Sequence, residues 1–177
     1  MKNIKASTRY AKALLDLSIE KNQLEKVYQD IITLKETCKG SRELVNLLNS
    51  PVVKEDQKKQ ALTAVFGSSF DELSINYINL LVSKNREALL PTIAEQFIKA
   101  YENHKNILTV EVTSAIKLDE AQKNKVLSLV KHDGEINLIE KTDPSLIGGF
   151  IVRMGDKQID ASIAKKFTDL RKEIILN

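Results

Sequence analysis

The chain has 177 residues, of which 42% are hydrophobic and 29% charged, and this balance indicates a globular protein and excludes a disordered chain. Aromatic residues make up only 5% and the net charge is +3, so base stacking and strong attraction to phosphate are not indicated, and no nucleic acid is expected as a partner. Cys38 is the only cysteine, which excludes an internal disulfide and a cysteine zinc site, and no apolar run approaches the ~20 residues of a membrane span.

Through the first 105 residues, apolar side chains recur at the 3.6-residue period of α-helices, and we predict a bundle of six helices there. The first helix runs from about Ile4 to Glu20, with Tyr10, Leu14 and Leu17 on one face. The second carries an apolar stripe that ends at Cys38, so this thiol is predicted to be a small buried hydrophobe. A short third helix precedes Pro51, and the fourth spans about residues 54 to 66.

The fifth helix, which we expect to begin after an N-cap at Asp71, is apolar on two sides. Its apolar residues divide as follows: Leu73, Tyr77 and Leu80 on one side, and Ile75, Ile78 and Val82 towards another. A helix that is apolar on two sides usually has two neighbours, and one of them need not belong to the same chain. The sixth helix tolerates Pro91 in its first turn.

At Asn106 the hydrophobic period changes from about 3.6 to 2, which indicates a second domain from residue 106 to 177. The stretch ILTVEVTSA alternates as a half-buried strand does, and Asp119 with Gln122 forms a capping pattern for the helix that follows it. The segment EINLIEK predicts a second strand, and apolar residues spaced four, three and four apart predict a last helix from Ile163. The fold class is therefore a helical bundle followed by a small α+β module in the order strand, helix, strand, strand, strand, helix.

The stretch SLIGGFIVRMGD, residues 145 to 156, raises the question of a phosphate-binding loop. Such a loop places its glycines directly before a helix, with a Lys-Ser or Lys-Thr pair. Here the β-branched and aromatic run FIV follows, so we predict a strand in which Gly148 and Gly149 mark a bulge or a close backbone approach. Two interpretations of Arg153 stay open: an anion-binding residue, or a side chain whose stem packs while its head reaches water.

Residues for catalysis or metal binding do not occur in any recognised spacing. His104 and His132 stand alone in their segments, and neither H-E-x-x-H nor H-x-x-E-H is present. A G-x-S-x-G nucleophile elbow is also missing from the sequence. We therefore predict no catalytic, cofactor-binding or metal-ligating residue, and we expect the chain to act by binding through its surfaces.

Two segments resemble a known family: STRYAKALLDLS near the start and TDPSLIGGFIVRMGDKQIDASIAKKFTDLRKEI at the end. Both are similar to the delta subunit of F-type ATP synthase, whose mitochondrial counterpart is the oligomycin-sensitivity-conferring protein. With the segment KNREALLPTIAEQF, the resemblance covers essentially the whole chain. At Ala161 the family pattern has glycine, and this departure indicates that the backbone there does not need a positive φ. The structural signature residues are Asp143, Leu146, Gly148, Gly149, Arg153, Gly155, Asp156 and Asp160.

The resemblance implies a non-catalytic stator adaptor that lies peripherally on the cytoplasmic face of the bacterial plasma membrane and needs no cofactor. The N-terminal bundle is expected to receive the N-terminal helix of an alpha subunit of the catalytic head. The C-terminal module is expected to contact the C-terminal ends of the peripheral-stalk subunits. The groove for the alpha-subunit helix is expected at Tyr10, Ala13, Leu14, Leu17, Ile75, Ile78, Asn79 and Val82. For each of these positions, ordinary bundle core is the alternative.

The competing functional class is a regulatory or nucleic-acid-binding adaptor, which the positive net charge and the small α+β module suggest. The few aromatic residues, the mixed charge and the lack of an RNA-recognition aromatic motif count against it. An enzyme is the third alternative, and the missing catalytic motifs disfavour it.

Overall fold

The computed structural model describes residues 2–130, 132–155 and 157–176, without the side chains of residues 2, 3, 125, 129, 170 and 172–176. The chain divides into two compact units, Met1–Tyr101 and Glu102–Asn177. The described part is mostly helical and has a mixed α/β region towards its C-terminus.

Six helices precede the first strand, and a short 3-10 turn, Glu87–Leu89, lies before the sixth. They are α1 (Lys2–Glu20), α2 (Leu24–Gly40), α3 (Arg42–Asn49), α4 (Glu55–Phe66), α5 (Glu72–Ser83) and α6 (Leu90–His104).

The ends of these helices follow from local side-chain chemistry. Ser41 caps α3, because its hydroxyl accepts a hydrogen bond from the backbone N–H of Leu44 at 3.2 Å. Asp71 caps α5 as the sequence predicts, and its carboxylate accepts from the N–H of Leu73 at 3.4 Å. Asn85 has a φ of 52° in the turn after α5, a left-handed conformation that asparagine tolerates better than most residues.

Aliphatic side chains and three phenylalanines form most of the core of the first unit. Helix α2 packs against α1, α3 and α5. Cys38 is buried at the end of the α2 stripe, as predicted, and burial raises the pKa of its thiol. The rings of Tyr28 on α2 and Tyr101 on α6 stack with their centroids 3.7 Å apart. The largest fully buried side chains include Leu14, Ile31, Leu34, Phe66, Ile78, Leu81 and Phe97.

The second unit contains a four-stranded sheet and two helices. The elements are β1 (Ile107–Ser114), α7 (Glu120–Leu129), β2 (Glu135–Thr142), β3 (Phe150–Met154), β4 (Lys157–Asp160) and α8 (Ile163–Leu176). The strand order in the sheet is β2-β1-β3-β4. Strands β1 and β2 are parallel and joined through α7, whereas β1 with β3 and β3 with β4 are antiparallel.

One face of this sheet forms the core of the second unit. Val110, Val112 and Val152 are fully buried on it, and Val126 of α7 packs against them. The alternation predicted for β1 is therefore confirmed. The capping box that opens α7 is confirmed as well, since Asp119 accepts from the N–H of Gln122 while the Gln122 side chain accepts from the N–H of Asp119.

The double glycine before β3 permits a close backbone approach, as predicted. Gly149 has a φ of 79°, and a Cβ at this position would collide with the carbonyl oxygen of Ala161. The N–H of Ala161 donates to the carbonyl of Phe150 at 3.0 Å, which ties the start of β3 to the segment before α8. The strand continues directly after the glycines, so they do not form a phosphate-binding loop.

Candidate docking surfaces

An open pocket of about 360 Å³ lies between the C-terminal end of α1 and the outer side of α5. Its apolar wall consists of Leu17 from α1 and Leu73, Tyr77 and Leu80 from α5. Leu17 and Leu80 are 39% and 50% exposed, which is unusual for two large aliphatic side chains that face one depression. We call these four residues with Asn76 the α1/α5 groove. Lys21 and Glu72 also line the pocket and add one charge of each sign.

The predicted groove residues are divided by the structure between this surface and the core. Leu17 lines the pocket, while Tyr10 is half-buried and Ala13 is exposed on the same helix. Ile75 and Asn79 are half-buried on α5. Three of the predicted residues are fully buried in the free chain: Leu14, Ile78 and Val82.

The side of α5 that meets the pocket is therefore the one that carries Leu73, Tyr77 and Leu80. These residues were recognised in the sequence as one of two apolar sides, but the groove prediction used the other side. Leu80 is half exposed and lines the pocket, whereas Ile78 and Val82 are buried, and this difference depends on tertiary packing rather than on helical period.

The first turn of α5 is held in place by a carboxylate from α2. Asp30 is buried, and its Oδ2 accepts a hydrogen bond from the backbone N–H of Asp71 at 2.9 Å. Negative charge at a helix N-terminus is stabilised by the helix dipole and by the unpaired N–H groups there. Lys26, one turn earlier on α2, has its Nζ 3.9 Å from the Asp71 carboxylate. These contacts fix the end of α5 at which the groove wall begins.

Tyr77 combines a place in the groove wall with a buried hydroxyl. The side chain is 8% exposed, and its hydroxyl is one of four buried side-chain atoms in the described residues that have no hydrogen-bond partner. Burial raises the pKa of the Tyr77 phenol, and the nearby Tyr10 adds a smaller effect in the same direction. The hydroxyl therefore stays protonated at neutral pH and acts as a hydrogen-bond donor without an acceptor.

A second exposed apolar surface lies in the C-terminal unit. Every side chain of α8 from position 163 to 169 is exposed, so this part of the helix has little cover from its own unit. Ile163 is 38% exposed and Phe167 68% exposed, and they lie one turn apart on one face. Two more isoleucines are exposed close to the start of α8. Ile147 precedes Gly148, whose carbonyl accepts from the N–H of Ile163, and Ile159 lies in β4, the strand before α8. We call these four residues the α8 patch.

Comparison with known proteins gives the family. The profile of the ATP synthase delta (OSCP) subunit matches residues 6–174. A protein of Christiangramia forsetii named ATP synthase subunit delta is 36% identical over 176 residues, covering 98% of this chain and 95% of the relative. One of the same name from Chlorobaculum tepidum is 39% identical over 172 residues, covering 96% and 95%. The chain belongs to the ATP synthase delta (OSCP) family.

A solved structure agrees with this family. A chain of the Toxoplasma gondii mitochondrial ATP synthase hexamer superimposes with a TM-score of 0.74 at 29% identity, covering 96% of this chain and 97% of that one. As a member of the delta (OSCP) family, the chain is a non-catalytic stator subunit and part of the peripheral stalk of an F-type ATP synthase. Family membership therefore decides against an enzyme and against a separate regulatory or nucleic-acid-binding adaptor.

The signature residues of the delta family form the turns around β3 and β4. The Asp143 carboxylate accepts from the N–H of Ser145, and the Asp160 carboxylate accepts from the N–H of Ser162, both at 2.9 Å. Hydrogen bonding to the serine side chain, and second to the serine backbone N–H, holds the pKa of each carboxyl below its usual range. The N–H of Leu146 donates to the carbonyl of Asp143 at 3.1 Å, which closes the turn.

The remaining signature residues complete this hairpin. Gly155 has a φ of 55° in the turn between β3 and β4, and Asp156 lies outside the described residues. Arg153 is exposed and donates to the Gln158 side chain across the hairpin at 3.2 Å. Its contact is thus with the neighbouring strand, in line with the interpretation in which the arginine head reaches water.

In the part of the chain that the structure describes, no group of three or more histidine, cysteine, aspartate or glutamate side chains is arranged to hold a metal ion. None of the helices in that part has the length and apolar character needed to cross a membrane.

Proposed function

We propose that the chain joins the catalytic head of the ATP synthase to its peripheral stalk through two separate docking surfaces. In this proposal the helices α1–α6 form one bundle that lies on the head, and the C-terminal unit contacts the stalk. The chain lies peripherally at the cytoplasmic face of a bacterial plasma membrane, as part of the ATP synthase complex.

The α1/α5 groove is the surface proposed for the N-terminal helix of an alpha subunit. The support is a pair of exposed leucines, Leu17 on α1 and Leu80 on α5, that line one pocket. Leu73 and Tyr77 of α5 line the same pocket. A groove between two helices accommodates the apolar face of a third helix, whose anchors recur at three- and four-residue spacing. Ala13, further along α1, is small and exposed, and thus leaves room for a close approach of the helix backbone.

The α8 patch is the surface proposed for the C-terminal end of the peripheral-stalk subunits. The apolar residues Ile163 and Phe167 of this helix face water. Covering them with a partner stabilises the complex by roughly 25 cal/mol per Å² of buried apolar area, before the costs of association are subtracted. The N–H of Ala161 donates to the carbonyl of Phe150 in β3, and the N–H of Ile163 donates to the carbonyl of Gly148 just before β3, so the start of α8 is attached to the sheet. Force on the helix is thus transmitted to the module rather than to a flexible tail.

The mechanical task explains why apolar surfaces are used. The head must not turn with the central shaft, so both contacts have to hold while torque is applied. An interface with several buried anchors distributes the load, whereas a single exposed ion pair contributes about 0–1 kcal/mol and weakens with salt. The exposed apolar residues of both surfaces carry the proposal.

The substitution Leu80→Glu tests the groove. Leu80 is 50% exposed, so a carboxylate there reaches water in the free chain and the free energy of unfolding should change by about 0.5 kcal/mol or less. In the complex the same charge would be buried against an apolar helix face, and we expect affinity for the alpha-subunit N-terminal peptide to fall at least a hundredfold.

Val65→Glu is the matched control, because Val65 is equally 50% exposed but lies on α4, outside the groove. It should leave both stability and affinity close to those of the unmodified chain. Titration calorimetry of the full-length chain with the peptide measures the effect. Wild-type affinity for Leu80→Glu would show that the alpha-subunit helix does not occupy this groove.

A further inference from the structure

The α1/α5 groove carries acidic side chains at one of its ends. Glu20 ends α1 and Glu72 begins α5, and Glu72 lines the pocket beside Leu17. Lys21 lines the pocket at the same end, so two carboxylates stand against one ammonium there. We call Glu20 and Glu72 the acidic end of the groove.

The line of the groove continues on both helices to a pair of basic side chains. Lys84, the residue after α5, extends a line of residues spaced four, three and four apart: Leu73, Tyr77, Leu80 and Lys84. On α1, Arg9 precedes Glu20 by 11 residues, which is close to three helical turns. Arg9 and Glu20 therefore share one face of α1 and are separated by about 16 Å along its axis.

The two basic residues lie towards the same end of the groove because α1 and α5 run antiparallel. Leu17, near the end of α1, shares the pocket with the first turn of α5. Tyr10, two turns earlier on α1, lies close to Tyr77, which is further along α5. We call Arg9 and Lys84 the basic end of the groove.

The stability of the free chain does not account for the charges on α1. Acidic residues are favourable in the first turn of a helix and basic residues in the last turn. Helix α1 has neither, and Glu20 closes its last turn. The four charged side chains of the two ends are exposed, and within the described chain they take part in no salt bridge. They are available to a partner.

We propose that the opposite charges at the two ends of the α1/α5 groove fix the direction in which a partner helix docks, an inference that rests on the proposed function of the groove. The bound helix places acidic side chains beside Arg9 and Lys84 and basic side chains beside Glu20 and Glu72. Helices commonly carry acidic residues near the N-terminus and basic residues near the C-terminus. The partner helix therefore lies parallel to α1 and antiparallel to α5, with its N-terminus at the basic end.

Apolar contacts alone do not set this direction. Anchors at three- and four-residue spacing fit against Leu17 and Leu80 in either orientation, whereas a reversed helix brings like charges together at both ends. Charges at the rim of an interface act mainly on the rate of association and on its salt dependence. The groove thus combines apolar residues that hold the helix with charges that orient it.

Charge reversal at each end tests the inference in the full-length chain, with the alpha-subunit N-terminal peptide as the probe. Two double variants are compared, Arg9→Glu with Lys84→Glu and Glu20→Lys with Glu72→Lys. Each should lower the association rate constant about five- to thirtyfold at low salt. The effect should largely disappear at about 1 M salt, where the screening length is about 3 Å.

The matched control is Lys35→Glu with Lys54→Glu, which makes the same change of net charge at two exposed lysines outside the groove. It should change the association rate less than about twofold. Rates within twofold of the unmodified chain for both groove variants overturn the inference while the groove stands. If the unmodified chain does not bind the peptide at all, the proposed function of the groove fails and the inference fails with it.

The direction itself is read from a nitroxide label at the acidic end. Lys21→Cys with Cys38→Ala leaves a single thiol for the label beside the pocket. In NMR spectra of the isotope-labelled peptide, the nitroxide should broaden the signals of the C-terminal half of the bound helix. Stronger broadening of the N-terminal half, or equal broadening of both halves, overturns the proposed direction.

Discussion

Lys58 and Glu87 carry opposite charges into the interior of the helical unit. The Lys58 Nζ lies 2.5 Å from Oε1 of Glu87, and the two side chains are only 5% and 8% exposed. Lys58 also donates to the carbonyl of Leu48 at 3.5 Å, whereas Oε2 of Glu87 has no hydrogen-bond partner in the described chain. A buried pair of this kind recovers its desolvation cost only when all of its polar atoms are satisfied.

We expect Lys58→Met or Glu87→Leu alone to destabilise the chain by about 3–5 kcal/mol, since each leaves one buried charge without its partner. The double variant should recover most of this loss and equal or exceed the wild-type stability. Urea denaturation of the four proteins measures the free energies of unfolding. Additive losses in the double variant would show that each side chain matters separately from the pair.

The signature carboxylates predict a pH dependence at the residue scale. Hydrogen bonds from Ser162 and Ser145 lower the folded-state pKa of Asp160 and Asp143 below the unfolded value of about 3.9. Because the folded pKa values are lowered, this contribution to stability is fully present above the unfolded pKa and is lost as the pH falls through the folded values.

Carbon-detected NMR titration should therefore give midpoints for both carboxyls below those of ordinary aspartates. Asp160→Asn keeps an oxygen that can accept from Ser162 but removes the ionisation, so it should weaken the acid dependence of stability below about pH 4. Midpoints at or above the ordinary range would contradict the turn geometry.

Among the elements, α5 shows what could be predicted from the sequence and what could not. Its N-cap at Asp71 and its two apolar sides follow from residue type and helical period, and the structure has both. The period does not tell which residues of each side reach the surface, because both sides have similar aliphatic residues: Leu73 and Tyr77 are buried on the same side as the exposed Leu80. Burial of Ile78 and Val82 against other helices, and exposure of Leu80, depend on neighbours that are distant in the sequence.

The close backbone approach at the glycine pair before β3 could also be predicted from the sequence, because it depends on local residue types. The close approach needs no side chain at Gly149, and the β-branched run after it favours a strand. The β3–β4 hairpin was predicted, but the pairing of β1 was not: parallel β1 and β2, with β1 in the centre, result from contacts across the sheet that no local pattern contains.

The exposed phenylalanine of α8 leads to a prediction about binding of the stalk. Phe167 is 68% exposed, so Phe167→Asp should leave the free energy of unfolding nearly unchanged while it abolishes binding of a C-terminal peptide of the stalk subunit. Ile116, 70% exposed in the segment between β1 and α7, provides the matched control Ile116→Asp, which should bind normally. Equal binding by both variants, measured by fluorescence anisotropy of a labelled peptide, would remove the α8 patch from the stalk contact.

At the scale of the whole molecule, the two units carry one proposed surface each. The α1/α5 groove belongs entirely to the unit Met1–Tyr101, and the α8 patch belongs entirely to Glu102–Asn177. A stator subunit that joins two partners requires this separation, because one surface has to stay occupied while the other is loaded. The sequence indicated the division from the change of hydrophobic period near residue 106.

The most direct measurement combines both partners in one sample of the full-length chain. Analytical ultracentrifugation with the alpha-subunit N-terminal peptide and the stalk C-terminal peptide should give one ternary complex with unit stoichiometry of each component. Leu80→Glu should lose only the alpha-subunit peptide, and Phe167→Asp should lose only the stalk peptide. Displacement of one peptide by the other, or loss of both peptides in either variant, would contradict a chain that links head and stalk through two independent surfaces.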